Sequence, residues 1–157
     1  MGKISNMAII ALVAFALVSC DKNDKKKTEN LAKGIATEYS ATDSKAKIQK
    51  LNLAETGPTS VKFALDSIQL DSTTSISIKE IAPVTLAKQK DTITLTANVN
   101  ALAKVYALKS ATPAKAEEKT VNVVVKGKVV GKTLTVGLTF PKLLAAPVST
   151  EFVGARK

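Results

Sequence analysis

The chain has 157 residues, no histidine, no tryptophan, a single cysteine and a formal net charge of +10. Without histidine it cannot build a Ser-His-Asp or Cys-His nucleophile, and it lacks the commonest transition-metal ligand; with one cysteine it has no disulfide within the monomer. Its lysines are scattered along the chain, usually one at a time between apolar residues, and Arg156 is the sole arginine, whereas nucleic-acid binders gather arginine and aromatic residues on one face, so the reading is a solvated basic surface suited to anionic lipid or glycan, with no nucleic acid as partner.

Met1 to Asn6 carries Lys3, and Met7 to Val18 then reads MAIIALVAFALV without a charge. A basic start followed by a short apolar core is the pattern of a secretory signal, and the run is too short to span a bilayer comfortably as a helix. It ends in Leu17-Val18-Ser19-Cys20, which resembles the bacterial lipobox. In signals of that kind the thiol receives a diacylglycerol, the chain is cut before it and the freed amine is acylated. The resemblance therefore implies that residues 1–19 are a lipoprotein signal peptide and that Cys20 is the lipid attachment point. Such anchoring makes physical sense, because one acyl chain holds a protein only marginally and two or more hold it durably. N-terminal myristoylation fits less well: Gly2 follows Met1, but the position wanted as Ser or Thr is Asn6.

After Cys20 comes DKNDKKKTEN, too poor in apolar residues to offset the entropy of ordering, so residues 20–33 read as a lipidated polar tether. The expected address is a bacterial cell envelope, as an outer-membrane lipoprotein on the periplasmic face or the cell surface. Asp21 and Asp24 loosely resemble the acidic export signals of Bacteroidetes surface lipoproteins, diluted here by Lys22 and Lys25 to Lys27.

From about Gly34 the dominant hydrophobic period is two, the period of strands. Strands are expected at Lys45 to Leu53, then at SVKFAL, with Val61, Phe63 and Leu65 on one face after the Gly57-Pro58 turn. Ser75 to Ile81 and Val84 to Lys88 follow as separate short strands. DTITLTANVNA sets Ile93, Leu95, Ala97, Val99 and Ala101 against Thr92, Thr94, Thr96, Asn98 and Asn100. Leu102 to Lys109, with Leu102, Val105 and Leu108 at helical spacing, reads as a turn or two of helix, and Ser110 to Lys119 as an exposed loop. VNVVVKGKVV places Val121, Val123, Val125 and Val129 opposite Asn122, Lys126 and Lys128. Gly131-Lys132 then reverses the chain into TLTVGLTF, where Leu134, Val136, Leu138 and Phe140 alternate with Thr133, Thr135, Gly137 and Thr139. Pro141 stops that ladder, and a last strand is expected at Thr150 to Ala155. The total is about eight strands without long helices, an all-β single domain over residues 34–157: a small antiparallel β-barrel or a closely related β-sandwich.

The valine-rich strand, Gly-containing turn and alternating strand of Val121 to Phe140, with FVGARK at Phe152 to Lys157, resemble the second half of Bacteroidetes lipoproteins with a calycin-like β-barrel domain. VKFALDSIQL and ITLTANVNAL fit the same layout. The resemblance implies a lipocalin-like barrel from about Gly34; the group has no agreed activity, so it brings no catalytic residue. The chain departs from the pattern at TEYSATDSK, where a Tyr-x-Gly opening belongs, and in the long polar interruption Lys109 to Thr120.

Few residues suggest chemistry. Glu117 and Glu118 adjoin in the expected loop as solvated charges, and Asp66 and Asp71 flank a turn-like DSIQLD, where they serve local turn hydrogen bonds. Lys126 and Lys128 frame Gly127, a conceivable anion site but more simply two outward lysines. Tyr39, Phe63, Tyr106, Phe140 and Phe152, the aromatics after Cys20, read as core filling rather than a cavity lining. The sequence shows neither a Gly-rich phosphate loop nor a calcium loop. No catalytic, cofactor-binding or metal-binding residue is expected. The expectation is a monomeric, non-enzymatic envelope lipoprotein, membrane-bound through its N-terminal lipid, whose barrel binds a small apolar ligand, glycan, lipid or protein partner. The alternatives are a structural or interaction module with a filled core and, behind it, a carboxylate-dependent glycan hydrolase.

Overall fold

In the computed structural model, residues 29–108 and 116–157 are described. Cys20 and the lipobox residues Leu17, Val18 and Ser19 lie outside them. A short helix α1 (Leu31–Ile35) precedes nine strands: β1 (Glu38–Ala41), β2 (Lys50–Asn52), β3 (Ala54–Gly57), β4 (Ser60–Gln69), β5 (Thr74–Gln89), β6 (Thr92–Ala107), β7 (Glu117–Val130), β8 (Thr133–Phe140) and β9 (Val148–Ala155). All pairings are antiparallel, and the strands form a single sheet in the order β2-β1-β9-β8-β7-β6-β5-β4-β3. The two ends of that order, β2 and β3, are consecutive in the chain and meet at Leu53, whose N–H donates to the Thr37 carbonyl (3.0 Å). One kinked segment thus leans on β1 with its first half and on β4 with its second. The sheet curls into a nearly closed barrel rather than a sandwich of separate sheets.

Alternation dictates which side chains fill it. Leu134, Val136, Leu138 and Phe140 of β8, Val121, Val123, Val125 and Val129 of β7, and Val61, Phe63 and Leu65 of β4 are all buried and belong to one apolar cluster. Leu95 and Ala101 of β6 join them, with Ile93, Ala97 and Val99 packed alongside. Helix α1 covers one barrel end, where the tight hairpins collect. Its Leu31, Ala32 and Ile35 are buried, its Ala32 N–H reaches the Pro58 carbonyl (3.1 Å), and the Asn30 side chain caps it by accepting from the Lys33 N–H (2.9 Å). At the same end the Arg156 guanidinium donates to the carbonyls of Gly34 and Gly131, tying the last residues of the barrel to the first.

The structure corrects several expectations. Leu102 to Ala107 is not helical but continues β6, paired with β7 from Leu102↔Thr120 to Val105↔Glu117, because a neighbouring β7 edge satisfies its backbone better than an isolated turn would. For the same reason Glu117 to Lys119 is strand, not loop; residues 109–115 lie outside the described part. Ser75–Ile81 and Val84–Lys88 fuse into β5. Only Lys50–Asn52 of the expected Lys45–Leu53 strand pairs as one. The turn before it is held by Asp43 accepting from the Lys45 N–H (2.9 Å) and by the Gln49 amide donating to the Ser44 and Ala46 carbonyls. Leu31 and Ala32, placed in the tether by composition, are core, so the ordered unit begins before Gly34.

Candidate functional site

The ladder between β5 and β6 skips from Ile78↔Ala103 to Thr85↔Thr96. Within the gap the buried residues are Ile78, Ile81 and Val84, spaced by three rather than two, so Lys79 and Glu80 both turn outward. Beside them β4 presents Lys62, Ala64 and Asp66. Across from β4, the segment leading into β2 carries Lys47, Gln49, Lys50 and Asn52, with Glu38 of β1 behind it. These side chains border a cavity of about 640 Å³, open to solvent, over the outer wall where β2 lies beside β4. Its floor is apolar: Ile48 and Phe63, both buried, together with Ala54 and Ala64.

Two ion pairs face each other across this groove, Lys50 with Glu38 (3.1 Å) on one wall and Lys62 with Glu80 (2.8 Å) on the other. Both are about half exposed, so each adds less than about 1 kcal/mol to stability. At the far end the Lys47 ammonium donates to the Leu70 carbonyl (3.1 Å) and ties the wall segments together. Asp66 and Lys79 are in none of these pairs.

The residues singled out by sequence disperse. Asp66 lines the groove, whereas Asp71 closes the β4–β5 turn, its carboxylate accepting from the Thr73 N–H (2.7 Å) and hydroxyl (2.9 Å). Those two bonds hold Asp71 below the usual carboxylate range. Only one of the pair therefore serves a turn, the role expected of both. Glu117 and Glu118 are exposed on β7 and pair separately, with Lys119 (2.9 Å) and Lys104 (3.9 Å). Lys126 is exposed and Lys128 points the same way, outward, with Gly127 between them. Tyr39, Phe63, Phe140 and Phe152 are core, and Tyr106 is half-buried opposite Ser75. Among the described residues no three Cys, Asp or Glu side chains gather to hold a metal ion.

Sequence reasoning missed the groove, above all Lys79 and Glu80. A signal existed in Ile78-Lys79-Glu80-Ile81, where adjacent charges between two apolar residues break the alternation as a β-bulge does. No family model, curated protein or solved structure matches the chain.

Proposed function

We propose that the chain is a lipid-anchored envelope protein, allied to the calycin-like lipoproteins it resembles. In this reading its barrel is non-catalytic and takes its partner on the outer wall, in the groove between β2 and β4. One contrast carries the binding half. Tyr39, Leu95, Val123, Leu134, Val136, Phe140 and Phe152 line the barrel interior with 0% exposure. An internal ligand therefore has no surface there to touch, whereas the groove combines an apolar floor with charged and amide walls, the composition of a site that fixes a polar ligand. The anchoring half rests on Leu17-Val18-Ser19-Cys20 after an uncharged apolar run.

Anchoring is tested in a bacterial host that processes lipoproteins, by detergent phase partitioning and intact mass. The wild-type chain should enter the detergent phase with the mass of residues 20–157 plus acyl groups, and Cys20→Ser should stay aqueous. Identical partitioning of the two would overturn this reading.

The same filled interior favours a second reading, a structural module without a ligand. A glycan hydrolase draws less support. Such enzymes keep one carboxyl protonated in an apolar setting, and Glu38 and Glu80 are half exposed and held by lysines.

A further inference from the structure

The described chain begins at the α1 end of the barrel. Glu29 is paired there with Lys88, near the end of β5 (2.5 Å), and α1 follows directly. The same end gathers the Pro58-Thr59, Lys90-Asp91 and Gly131-Lys132 turns and the exit of β9, where the Arg156 N–H reaches the Lys132 carbonyl (3.0 Å). Four exposed lysines from three separate elements surround it: Lys33 of α1, Lys90 of the β5–β6 turn, and Lys128 and Lys132 of the β7–β8 hairpin. None of the four is in an ion pair among the described residues. Of the carboxylates nearby, Glu29 is held by Lys88, Glu38 by Lys50, and Glu55 accepts from the Asn30 amide (2.8 Å). Asp91 is the one left to oppose the four lysines. Val130, 48% exposed, sits on the β7–β8 hairpin between Lys128 and Lys132.

We infer that the α1 end is a docking face for an anionic phospholipid bilayer, on which the barrel stands end-on. Lysines held at a membrane surface are each drawn to anionic headgroups, and an aliphatic side chain beside them gains by entering the interface. Charge alone does not choose the end, because Lys45, Lys104 and Lys142 lie toward the opposite one. The reach of the anchor does. Cys20 to Thr28 is nine residues, which span at most about 30 Å however extended. β6 is 16 residues long, so at ordinary strand rise and barrel tilt the opposite end stands about 40 Å from the α1 end. A chain anchored at Cys20 therefore cannot seat that opposite end on the bilayer. A barrel lying on its β6–β8 flank would present Thr96, Asn98 and Asn100 of β6 and Thr135 and Thr139 of β8, which carry no charge. The β2–β4 flank has its Lys50 and Lys62 already paired. End-on seating also leaves the groove on the side wall open to solvent.

This inference rests on the proposed anchor at Cys20, and its test separates the two. The acylated mature chain is placed in nanodiscs that carry a headgroup nitroxide, made with phosphatidylglycerol or with phosphatidylcholine alone, and amide broadening is read residue by residue. With phosphatidylglycerol the amides of Lys33, Lys90 and Lys132 should lose their intensity, while that of Thr73 at the opposite end keeps it. With phosphatidylcholine alone the difference should fade. A second measurement uses the chain from residue 20 with Cys20→Ser, which cannot be acylated there and keeps its leading lysines. It should sediment with phosphatidylglycerol vesicles and be released at about 0.5 M salt. Adding Lys90→Gln, Lys128→Gln and Lys132→Gln should weaken that binding at least about tenfold, whereas Lys45→Gln, Lys104→Gln and Lys142→Gln should change it less than about threefold. Equal broadening of the two ends, the same pattern on phosphatidylcholine, no sedimentation of the Cys20→Ser chain at about 1 mM lipid, or equal losses in the two triple variants would each overturn the docking face. An acylated chain that stays in the nanodisc without preference for either end leaves the anchor standing and removes only the docking face. An unmodified Cys20 in the native protein removes the anchor, while selective loss of vesicle binding in the first triple variant would still identify the face.

Discussion

At the scale of single residues, Gly154 shows why the final strand carries Phe-x-Gly. A Cβ at this position would lie 2.3 Å from the tip of the Phe152 ring and 2.7 Å from the Ser40 carbonyl. The ring therefore lies over the glycine inside the barrel, and β1 approaches β9 at the same point. Gly154→Ala should cost about 1–3 kcal/mol in urea denaturation, as overpacking does, while the exposed neighbour substitution Val153→Ala should cost less than about 0.5 kcal/mol. Tyr39 is the other informative residue. Its phenol is buried and donates to the Ile35 carbonyl (3.1 Å), and burial raises it above its ordinary value of 10.0, partly opposed by the Arg156 charge. A raised folded value means that the native state holds the proton more tightly. The corresponding stability is complete below pH 10 and is lost as the pH climbs from there toward the folded value. Tyr39→Phe should therefore be about 1 kcal/mol less stable than the wild type at pH 7, where it loses one hydrogen bond, and the deficit should shrink at pH 11.

At the scale of elements, the lesson lies in β6. Leu102, Val105 and Leu108 have helical spacing, but in an extended chain a step of three alternates faces, so Leu102 and Leu108 are exposed while Val105 packs against the core. Leu102 is 57% exposed and faces solvent, while Leu95 on the same strand is fully buried. Leu95→Ala should accordingly cost about 2–5 kcal/mol and Leu102→Ala less than about 0.5 kcal/mol, measured by thermal or chemical unfolding. A helix burying the Leu102 face would have made both substitutions costly. The hairpins were legible where glycine marks them and not elsewhere. Gly131, with a φ of 58°, sits where Gly131-Lys132 was read as a reversal, but the β5–β6 turn uses Lys90 at a φ of 55°, a conformation that lysine seldom adopts and composition does not announce. Lys90→Gly should raise stability by about 0.5–1 kcal/mol, because relief of the left-handed backbone outweighs the added chain entropy.

At the scale of the whole molecule, closure depends on few contacts. The long ladders of β5 to β8 carry most of the pairing, while β2 contributes three residues to β1 and none to β4. Arg156 compensates at the α1 end by joining Gly34 to Gly131. Arg156→Ala should cost about 1–2 kcal/mol and speed amide exchange in α1 well before that in β6 and β7, as read by native-state hydrogen exchange. Period-two alternation in Val121 to Phe140 and Thr92 to Ala101 was enough, by itself, to specify strands, their buried faces and an antiparallel all-β fold, because side-chain direction in a strand is a local property. The lipobox reading of Cys20 rests on an equally local pattern, and it stands as the proposal that detergent partitioning tests. Only the tertiary structure decided that β2 and β3 belong to opposite ends of one sheet, that Lys79 and Glu80 both face outward, and that Asp66 lies across a groove from Lys50. Those facts depend on register between distant strands and on where the barrel fails to close, and neither is encoded in the period of any one segment.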